Sequence, residues 1–512
     1  MRIYLAFTNK PMEQKDSERQ KRLLHDRGIC IVIPTYNNGG TITAVVNSTL
    51  EECQDVIVVN DGSTDDTSLQ LKAIKAVTVV EYARNRGKGY ALKQGFRKAL
   101  EMGFAYAITL DGDGQHYPSD IRRFLQANID HPGALILGSR NLTNADRPKG
   151  STFANKFSNF WFCVQTGRRL DDTQTGYRLY PIRKLNFIRL LTSRYEAELE
   201  LLVFAYWHGV KLVSIPINVY YPPREERVSH FRPIIDFARI SVLNTVLCVL
   251  AVAYGLPLKI GRALMKYLRT CYSLLLFHIL SMLVITPACW LYLKLGKMTE
   301  QKRYHLHQIL HQSARFIMLR HGIPGSTFSY KVAPDADFDR PHIIICNHQS
   351  LIDLMCILIF TPKIIFLTKD WVWRNSTYGF LIRHAEYYPV SEGIEALLPK
   401  LRSVVERGYS IAVFPEGTRS KDCRIGHFHQ GAFWLSEKLG LDILPMCLYG
   451  PGKVLPKKTY IFHKSPIYIQ VDSPVSRAEL EQMGRLRHQA SAIRKRYLKE
   501  YEDIANQIEQ EV

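Results

Sequence analysis

The ten cysteines, scattered from Cys30 to Cys447, include no Cys-x-x-Cys pair and no cysteine and histidine cluster at zinc-ligand spacing. That excludes a zinc module and a dithiol redox motif, and it leaves free thiols in a reducing compartment as the expected state. The first stretch, MRIYLAFTNKPMEQKDSERQKRLLHDRG, turns charged after a few apolar residues, so it lacks the apolar core of a secretory signal. It reads as an N-terminal arm, with Met12 as an alternative start. No repeat relates the two halves of the chain. Acid is scarce relative to base: 47 Asp and Glu against 67 Lys and Arg give a net charge of +20, which favours an anionic partner. Phospholipid headgroups and phosphorylated substrates fit this excess better than nucleic acid, for which no single-strand platform motif is present.

A chain of 512 residues exceeds what one core organises, so two or more domains are expected. From Gly28 to about residue 220, strand-length β-branched runs (ICIVIP, DVIVVND, AVTVVEY, YAITLDG, ALILGS) alternate with helix-prone stretches. This predicts a buried parallel sheet in an α/β domain, with ligands at the carboxyl ends of its strands. Two apolar segments follow, ISVLNTVLCVLAVAYGLPL and CYSLLLFHILSMLVITPACWLYL, split by KIGRALMKYLRT. The second is long enough to span a bilayer. Two spanning helices would strand Lys259, Arg262, Lys266 and Arg269 outside, against the positive-inside tendency, so a re-entrant or monotopic hairpin with its basic residues at the headgroups is expected. A buried helical hairpin is the plainer alternative. Strand-like runs then resume (HIIIC, KIIFL, SIAVFP, DILPMCL), predicting a second α/β domain, and a charged helix, solvated or membrane-facing, opens with a Ser-x-x-Glu signature at Ser476.

In DGDGQHYP, Asp111 and Asp113 flank a glycine, and alternate residues of an extended segment face one way, toward one divalent ion carrying a diphosphate. A polar turn is the bland reading; an EF-hand is set aside because Gln115 occupies its third ligand position. The company of this pair is IVIPTYNN (31–38), VVNDGSTDDT (58–67), NRGKGYALKQG (85–95) and DTQTGYRLYP (172–181). In this order they resemble glycosyltransferase family two, of GT-A fold, and within it the dolichyl-phosphate mannosyltransferases and related polyprenol-phosphate enzymes, over roughly residues 29–236, ending in SHFRPIIDFARI. The resemblance implies that Pro34, Tyr36 and Asn37 border the nucleotide, that Asp61 receives the base, and that Asp111 meets ribose or metal. Asp113 becomes the principal ligand of Mg or Mn, and Lys88 adds charge near the diphosphate. Asp172 stands at the position of a catalytic or acceptor-side carboxylate; a hydroxyl acceptor needs such a base, whereas a polyprenyl phosphate is already an anion. Inversion is likewise implied by family. The histidines His305, His307 and His311 in YHLHQILHQ lack a Glu or Cys to complete a metal set, so a solvated helix is expected there.

In NHQSLID (347–353), Ser350 and Asp353 have capping-box spacing, and His348 precedes Asp353 by five residues, as a histidine base and its orienting acid require. With FPEGTRS (414–420), FHQGA (428–432) and ILPMCLYG (443–450), the stretch resembles the membrane glycerolipid acyltransferases, the 1-acylglycerol-3-phosphate acyltransferase family, over roughly residues 320–475. His348 then acts as base and Asp353 orients it. On a regular helix five residues rotate about 500°, so the pair meets only if His348 lies in the turn before the helix, with Ser350 as the cap and Asp353 in the first turn. Glu416, Gly417, Thr418 and Arg419 would hold the acyl acceptor, with Arg419 suited to a phosphate. No cofactor is implied at this site. Where the family often has an arginine after EYYPVSEG this chain has Glu392, which puts lysophosphatidate as the acceptor in doubt.

The expected fold is therefore α/β throughout: an arm (1–28), a GT-A domain (29–238), a membrane-associating helical hairpin (239–298), an acyltransferase domain (299–475) and a charged C-terminal helix (476–512). The expected function is bifunctional, transferring a sugar from a nucleotide-sugar and an acyl group from acyl-CoA or acyl-carrier protein to lipid or lipid-linked acceptors at the cytoplasmic face of the inner membrane. The alternatives are a lysophosphatidate acyltransferase with an independent or inactive first half, and a non-catalytic membrane scaffold.

Overall fold

The computed structural model describes residues 14–140, 149–220, 233–321, 323–375 and 379–511. The chain divides into two compact units, Met1–Gly261 with Glu509–Val512, and Arg262–Ile508.

In the first unit the apolar runs form strands β1 (Ile29–Thr35), β2 (Val56–Asn60), β3 (Thr78–Glu81), β4 (Tyr106–Thr109), β5 (Leu135–Arg140), β6 (Arg178–Tyr180) and β7 (Leu212–Ile217). Their order in the sheet is β3-β2-β1-β4-β6-β5-β7. Strand β6 is antiparallel to both neighbours, and the other pairs are parallel. Every residue of β1 and β2 is buried because alternate side chains enter two separate cores. Ile29, Ile31 and Ile33 enter one, and Cys30 and Val32 the other. The helix Lys88–Glu101 closes on the second face through Gly95, where an added Cβ would lie 2.4 Å from Val32 Cγ1. Register pairs Val32 with Thr109, so the segments leaving β1 and β4 emerge side by side at the carboxyl edge, where strand order switches direction.

The expected arm is in part folded. Residues Gln14–Asp26 form a helix, Leu24 joins the first core, and Gln20 Nε2 donates to the Glu52 carboxylate at 2.7 Å. The charge that suggested an arm lies on its solvent face; residues 1–13 are outside the described residues. So are residues 229–232 of SHFRPIIDFARI.

No hairpin forms between the apolar segments. Ile235–Lys294 is one helix of 60 residues, with a mean hydropathy of 2.1 in its most apolar window and only 6% of that window buried. The intervening KIGRALMKYLRT is rich in good helix formers and continues the helix instead of turning. The helix's two internal prolines, Pro257 and Pro287, each follow a wide π-helical turn, at Ala251–Gly255 and Ile279–Ile285. That local widening accommodates a residue with no N–H and a bulky ring. Nor do the basic residues of the linker mark a loop: Arg269 Nε donates to Pro324 O, and Thr270 Oγ1 accepts from Phe462 N at 3.0 Å.

The second unit contains strands β8 (Phe328–Val332), β9 (Ile343–Cys346), β10 (Ile364–Thr368), β11 (Tyr388–Pro389), β12 (Ser410–Val413), β13 (Ile443–Tyr449) and β14 (Ile467–Val471), in the order β11-β10-β12-β9-β13-β14-β8. Only the β13 and β14 pair is antiparallel among them. Register pairs Ile345 of β9 with Val413 of β12, so NHQSLID and FPEGTRS, far apart in sequence, leave adjacent strands at the same edge.

Two surface expectations are overturned here. The tail is not a solvated or membrane-facing helix. Ser476 does make its capping box with Glu479, but the following helix Leu486–Glu511 buries Ala490, Ile493, Tyr497, Ile504 and Ile508 in the core of this unit. Those positions recur at helical spacing within a composition dominated by charge. The histidine helix is not solvated either. His307 lies between the rings of Tyr387 and Tyr409, with centroids at 5.9 and 5.0 Å, and burial pushes its pKa down to about 4. His311 Nδ1 pairs with Leu358 O at 2.6 Å.

Candidate functional sites

At the carboxyl edge of the first sheet, Pro34 is buried within β1 and Tyr36 and Asn37 are half-buried just after it. Asn37 takes a left-handed φ of 51° and ties its loop to the one after β2: its N–H donates to Ser63 Oγ at 2.9 Å, and its Oδ1 accepts from Thr64 N at 2.8 Å. Thr41 Oγ1 donates to Gly112 O at 2.7 Å, fixing the same loop against the Asp-Gly-Asp turn. Asp61 accepts from Asn85 Nδ2 at 3.0 Å and from the N–H groups of Arg86 and Gly87 at 2.8 Å each. Its carboxylate therefore shapes the turn that starts the Lys88 helix, beyond any part in holding a base.

Lys88 reaches from that helix to Asp111 Oδ1 at 2.7 Å and Glu198 Oε2 at 3.1 Å. Burial works against its ammonium, but the two carboxylates outweigh burial and hold the pKa above the ordinary lysine value. Asp111 is affected in the opposite sense: burial raises its pKa, and Lys88 more than compensates, leaving it below the usual carboxylate range. For Asp113 the pull of Lys88 is weaker; burial and then the charge of Asp111 push it up to about 6. The DTQTGY loop closes over this pair. An added Cβ on Gly176 would lie 2.5 Å from Asp111 Oδ2 and 2.7 Å from Lys88 Nζ, so a side chain there would displace this pair. Fully buried Arg178 holds the loop through Thr173 O and Thr175 O, at 2.8 and 2.7 Å.

Asp172, expected as a catalytic or acceptor-side carboxylate, is engaged by the protein. Its buried carboxylate accepts a two-pronged pair from Arg140 (Nε at 2.6 Å, Nη2 at 2.9 Å), Asn155 Nδ2 at 2.7 Å and Gln174 N at 3.1 Å. Burial raises its pKa, but Arg140 and these donors bring it below the ordinary value. A carboxylate so surrounded is a poor proton acceptor and a good anchor for Arg140. Sequence reasoning missed Glu198, Arg140 and Asn155. Arg140 ends β5, a position the carboxyl-edge rule could have flagged; Glu198, in the even run EAELELL, carries no such signal.

The dyad of the second unit is formed. His348 Nδ1 lies 2.8 Å from Asp353 Oδ2, which also accepts from the N–H groups of Gln349 and Ser350 at 2.6 and 2.7 Å. The helix begins at Asp353 itself, so His348 lies in the preceding turn. Ser350 is not the cap: its hydroxyl donates to Leu455 O at 2.8 Å. The acid does gather the amides of the turn, the half of the capping box that its spacing implies. Asn347 steadies the base of the turn by bonding both Leu448 N and Leu448 O, at 2.7 and 2.9 Å, as a strand would. Phe414 stacks on the His348 ring, with centroids 4.0 Å apart.

Within FPEGTRS the four expected acceptor residues separate. Glu416 is buried and turned inward, accepting from His348 N at 2.9 Å and Gly426 N at 2.8 Å. Burial raises its pKa, and its bonds make it a clamp on the dyad turn. Gly417 and Thr418 are exposed and Arg419 is half-buried. Lys457, absent from the expected set, places Nζ 3.2 Å from Thr418 Oγ1 and 2.6 Å from Arg419 O. Glu392 is neutralised by Lys400 at 2.9 Å, so the cations at this edge come from other positions than the expected arginine. Gln349 links the turn to the C-terminal helix through Tyr501 Oη at 3.0 Å.

Residues 30–177 match the family described as Glycosyl transferase family 2, and residues 327–449 match the family described as Acyltransferase. A UDP-N-acetylglucosamine–dolichyl-phosphate N-acetylglucosaminyltransferase of Methanococcus voltae is 30% identical over 219 residues, covering 38% of this chain and 87% of that protein. A chloroplastic 1-acyl-sn-glycerol-3-phosphate acyltransferase of Brassica napus is 30% identical over 149 residues, covering 28% of this chain. The chain spans 43% of the length of that second relative. Among solved structures, the 1-acyl-sn-glycerophosphate acyltransferase of Thermotoga maritima superposes with a TM-score of 0.39 at 21% identity, over 47% of this chain and 98% of that one.

Proposed function

Because the chain belongs to glycosyl transferase family 2 in its first unit and carries a glycerolipid acyltransferase domain in its second, we propose that it is a bifunctional enzyme of lipid biosynthesis. It transfers a sugar from a nucleotide-sugar and an acyl group from acyl-CoA or acyl-carrier protein to lipid or lipid-linked acceptors. The observation that carries the reading is the formed His348 and Asp353 pair at 2.8 Å, together with a half-buried carboxylate pair in the other unit of which Asp111 is bonded by Lys88.

In acyl transfer, Asp353 holds the Nδ1 proton and leaves the Nε2 lone pair to take the acceptor's hydroxyl proton. The oxygen attacks the thioester carbonyl, the carbon–sulfur bond breaks, and the imidazolium returns the proton to the leaving thiolate. Arg419 supplies the fixed charge for a phosphate on the acceptor.

In sugar transfer, the residues fit a divalent Mg or Mn ion. Asp113 makes no ion pair of its own and accepts from Gln115 N at 3.0 Å, and among the described residues no three His, Cys, Asp or Glu side chains form a complete metal set. Asp113 and Asp111 would hold the ion, with the donor's diphosphate as its other ligand. When bound, it stabilises charge on the departing nucleotide diphosphate. Asp172, engaged by Arg140, favours an acceptor that needs no base, such as a polyprenyl phosphate; inversion accompanies a single displacement of this kind. Both donors are cytoplasmic metabolites and the long helix is apolar and uncovered, which supports residence at the cytoplasmic face of the inner membrane.

Lipid mass spectrometry of cells expressing wild type, Asp113→Ala or His348→Ala tests the reading. The first variant is expected to lack a glycosylated lipid and the second to accumulate its under-acylated form. Unchanged lipids in both, with the proteins folded and present in the membrane, would leave only a scaffold.

A further inference from the structure

The acyltransferase match ends at residue 449, yet the helix Leu486–Glu511 reaches back to the dyad turn. Arg494, Tyr497 and Tyr501 recur at i, i+3 and i+7, which places them on one face of that helix. Each is tied, directly or at one remove, to the segment that presents the dyad. Tyr497 donates to Ile345 O at 2.8 Å, three residues before His348. Tyr501 Oη accepts from Gln349 Nε2 at 3.0 Å, one residue after it. Gln349 is 2% exposed, and its other side-chain bonds, to Cys423 O at 3.2 Å and from Gly452 N at 3.4 Å, are longer.

Arg494 acts at one remove. Its Nε donates to Gly426 O at 2.5 Å and its Nη2 to Ile425 O at 3.3 Å. The Ile425 carbonyl and the Gly426 N–H belong to one peptide unit, and a trans peptide points them in opposite directions. That N–H donates to Glu416 Oε2 at 2.8 Å, and Glu416 Oε1 accepts the N–H of His348 at 2.9 Å. A guanidinium, a peptide, a carboxylate and the backbone of His348 thus stand in one hydrogen-bonded series, in which each bond polarises the next. An added Cβ on Gly426 would lie 2.7 Å from Glu416 Oε2, so a side chain there would push the carboxylate out of line.

Burial alone does not require this pattern. The apolar stripe of Ile493, Tyr497, Ile504 and Ile508 would cover the core without Arg494 or Tyr501 bonding anything. The dyad does need a fixed turn, because His348 precedes the helix that begins at Asp353 and has no helical ladder to hold it. We propose that Arg494 and Tyr501 are positioning residues for acyl transfer: the C-terminal helix holds the His348 turn through Glu416 on one side and Gln349 on the other, keeping the imidazole aimed at the acceptor hydroxyl. This rests on the acyltransferase reading given above.

Full-length protein in detergent micelles is assayed with labelled palmitoyl-coenzyme A or palmitoyl-acyl-carrier protein and a total lipid extract as acceptor, alongside amide hydrogen exchange over residues 345–353. Arg494→Met keeps the apolar stem and loses every donor. Its kcat per folded molecule is expected to fall by about 10- to 100-fold, the scale of a displaced catalytic group, with the thioester KM unchanged. Arg494→Lys, which retains a donor for Gly426 O, should recover most of that loss. The His348 amide should exchange faster in Arg494→Met than in wild type. Tyr501→Phe should lower kcat in the same sense and by less, because Cys423 O still holds Gln349. Ile504→Ala removes packing from the same helix without touching the turn, so it should lower the melting temperature and keep wild-type kcat per folded molecule. Wild-type kcat in Arg494→Met, or equal losses in Arg494→Met and Ile504→Ala, would overturn the positioning role and leave the helix as packing alone. Wild type inert toward both thioesters, with the His348 amide still protected, would overturn the acyltransferase reading and the proposal with it.

Discussion

At the scale of single residues, both sites depend on side chains that hold other groups in place. Asp353 is the clearest case, since one of its oxygens receives an imidazole and two backbone amides. Asp353→Asn keeps an oxygen for these donors but removes the charge that stabilises the imidazolium, so acyl transfer measured with a labelled thioester is expected to fall by about 10²- to 10⁴-fold, the range general base catalysis supplies, while sugar transfer is retained. Gly176→Ala should do the reverse: its new methyl would strike Asp111 and Lys88, and nucleotide-sugar turnover should fall with acyl transfer unchanged. The motif residues themselves were legible in the sequence because spacing after a strand marks a carboxyl edge. Their division of labour was not. Glu416, Asp61 and Asp172 all read as ligand-facing residues, yet each accepts protein N–H groups, and only three-dimensional contacts distinguish a carboxylate facing a ligand from one facing an amide.

At the scale of elements, the sequence was reliable for strands and poor for helices at the ends of units. Runs such as ICIVIP and HIIIC became central strands because β-branched residues buried on both faces leave little choice. The helix Leu486–Glu511 misled because its many charges conceal a thin apolar stripe. Tyr497 on that stripe accepts from Met446 N at 2.9 Å and donates to Ile345 O at 2.8 Å, bridging β13 and β9 just before the dyad turn. Tyr497→Phe leaves both groups buried without that partner and should lower stability by about 1–3 kcal/mol, read from urea unfolding. The same helix sets a pH dependence. Burial, followed by Asp472 and Asp503, pushes Glu500 up to about 9. A carboxyl whose folded pKa is raised contributes its stability below the ordinary value and loses it as pH rises toward about 9. Glu500→Gln is therefore expected to raise the melting temperature at pH 8 more than at pH 5, and equal shifts would refute the assignment.

At the scale of the whole molecule, the +20 charge and the 60-residue apolar helix act on different kinds of attachment. Electrostatic attachment weakens with salt, whereas apolar insertion does not. Fractionated membranes should therefore retain the chain through high salt and alkaline carbonate and release it only into detergent, as immunoblotting of the fractions would read. The location of the apolar segment was legible in the sequence, but its form was not, because Gly255 and Pro257 resemble a turn and only the π-helical widening beside them lets the helix continue. The two units of one chain also have a consequence for cellular dosage. Because one ribosome makes both in a single pass, synthesis delivers them one for one. On the bifunctional reading proposed above, any imbalance between glycosylated and acylated product then reports the relative turnover numbers of the two sites and the supply of their donors, not the relative abundance of two enzymes.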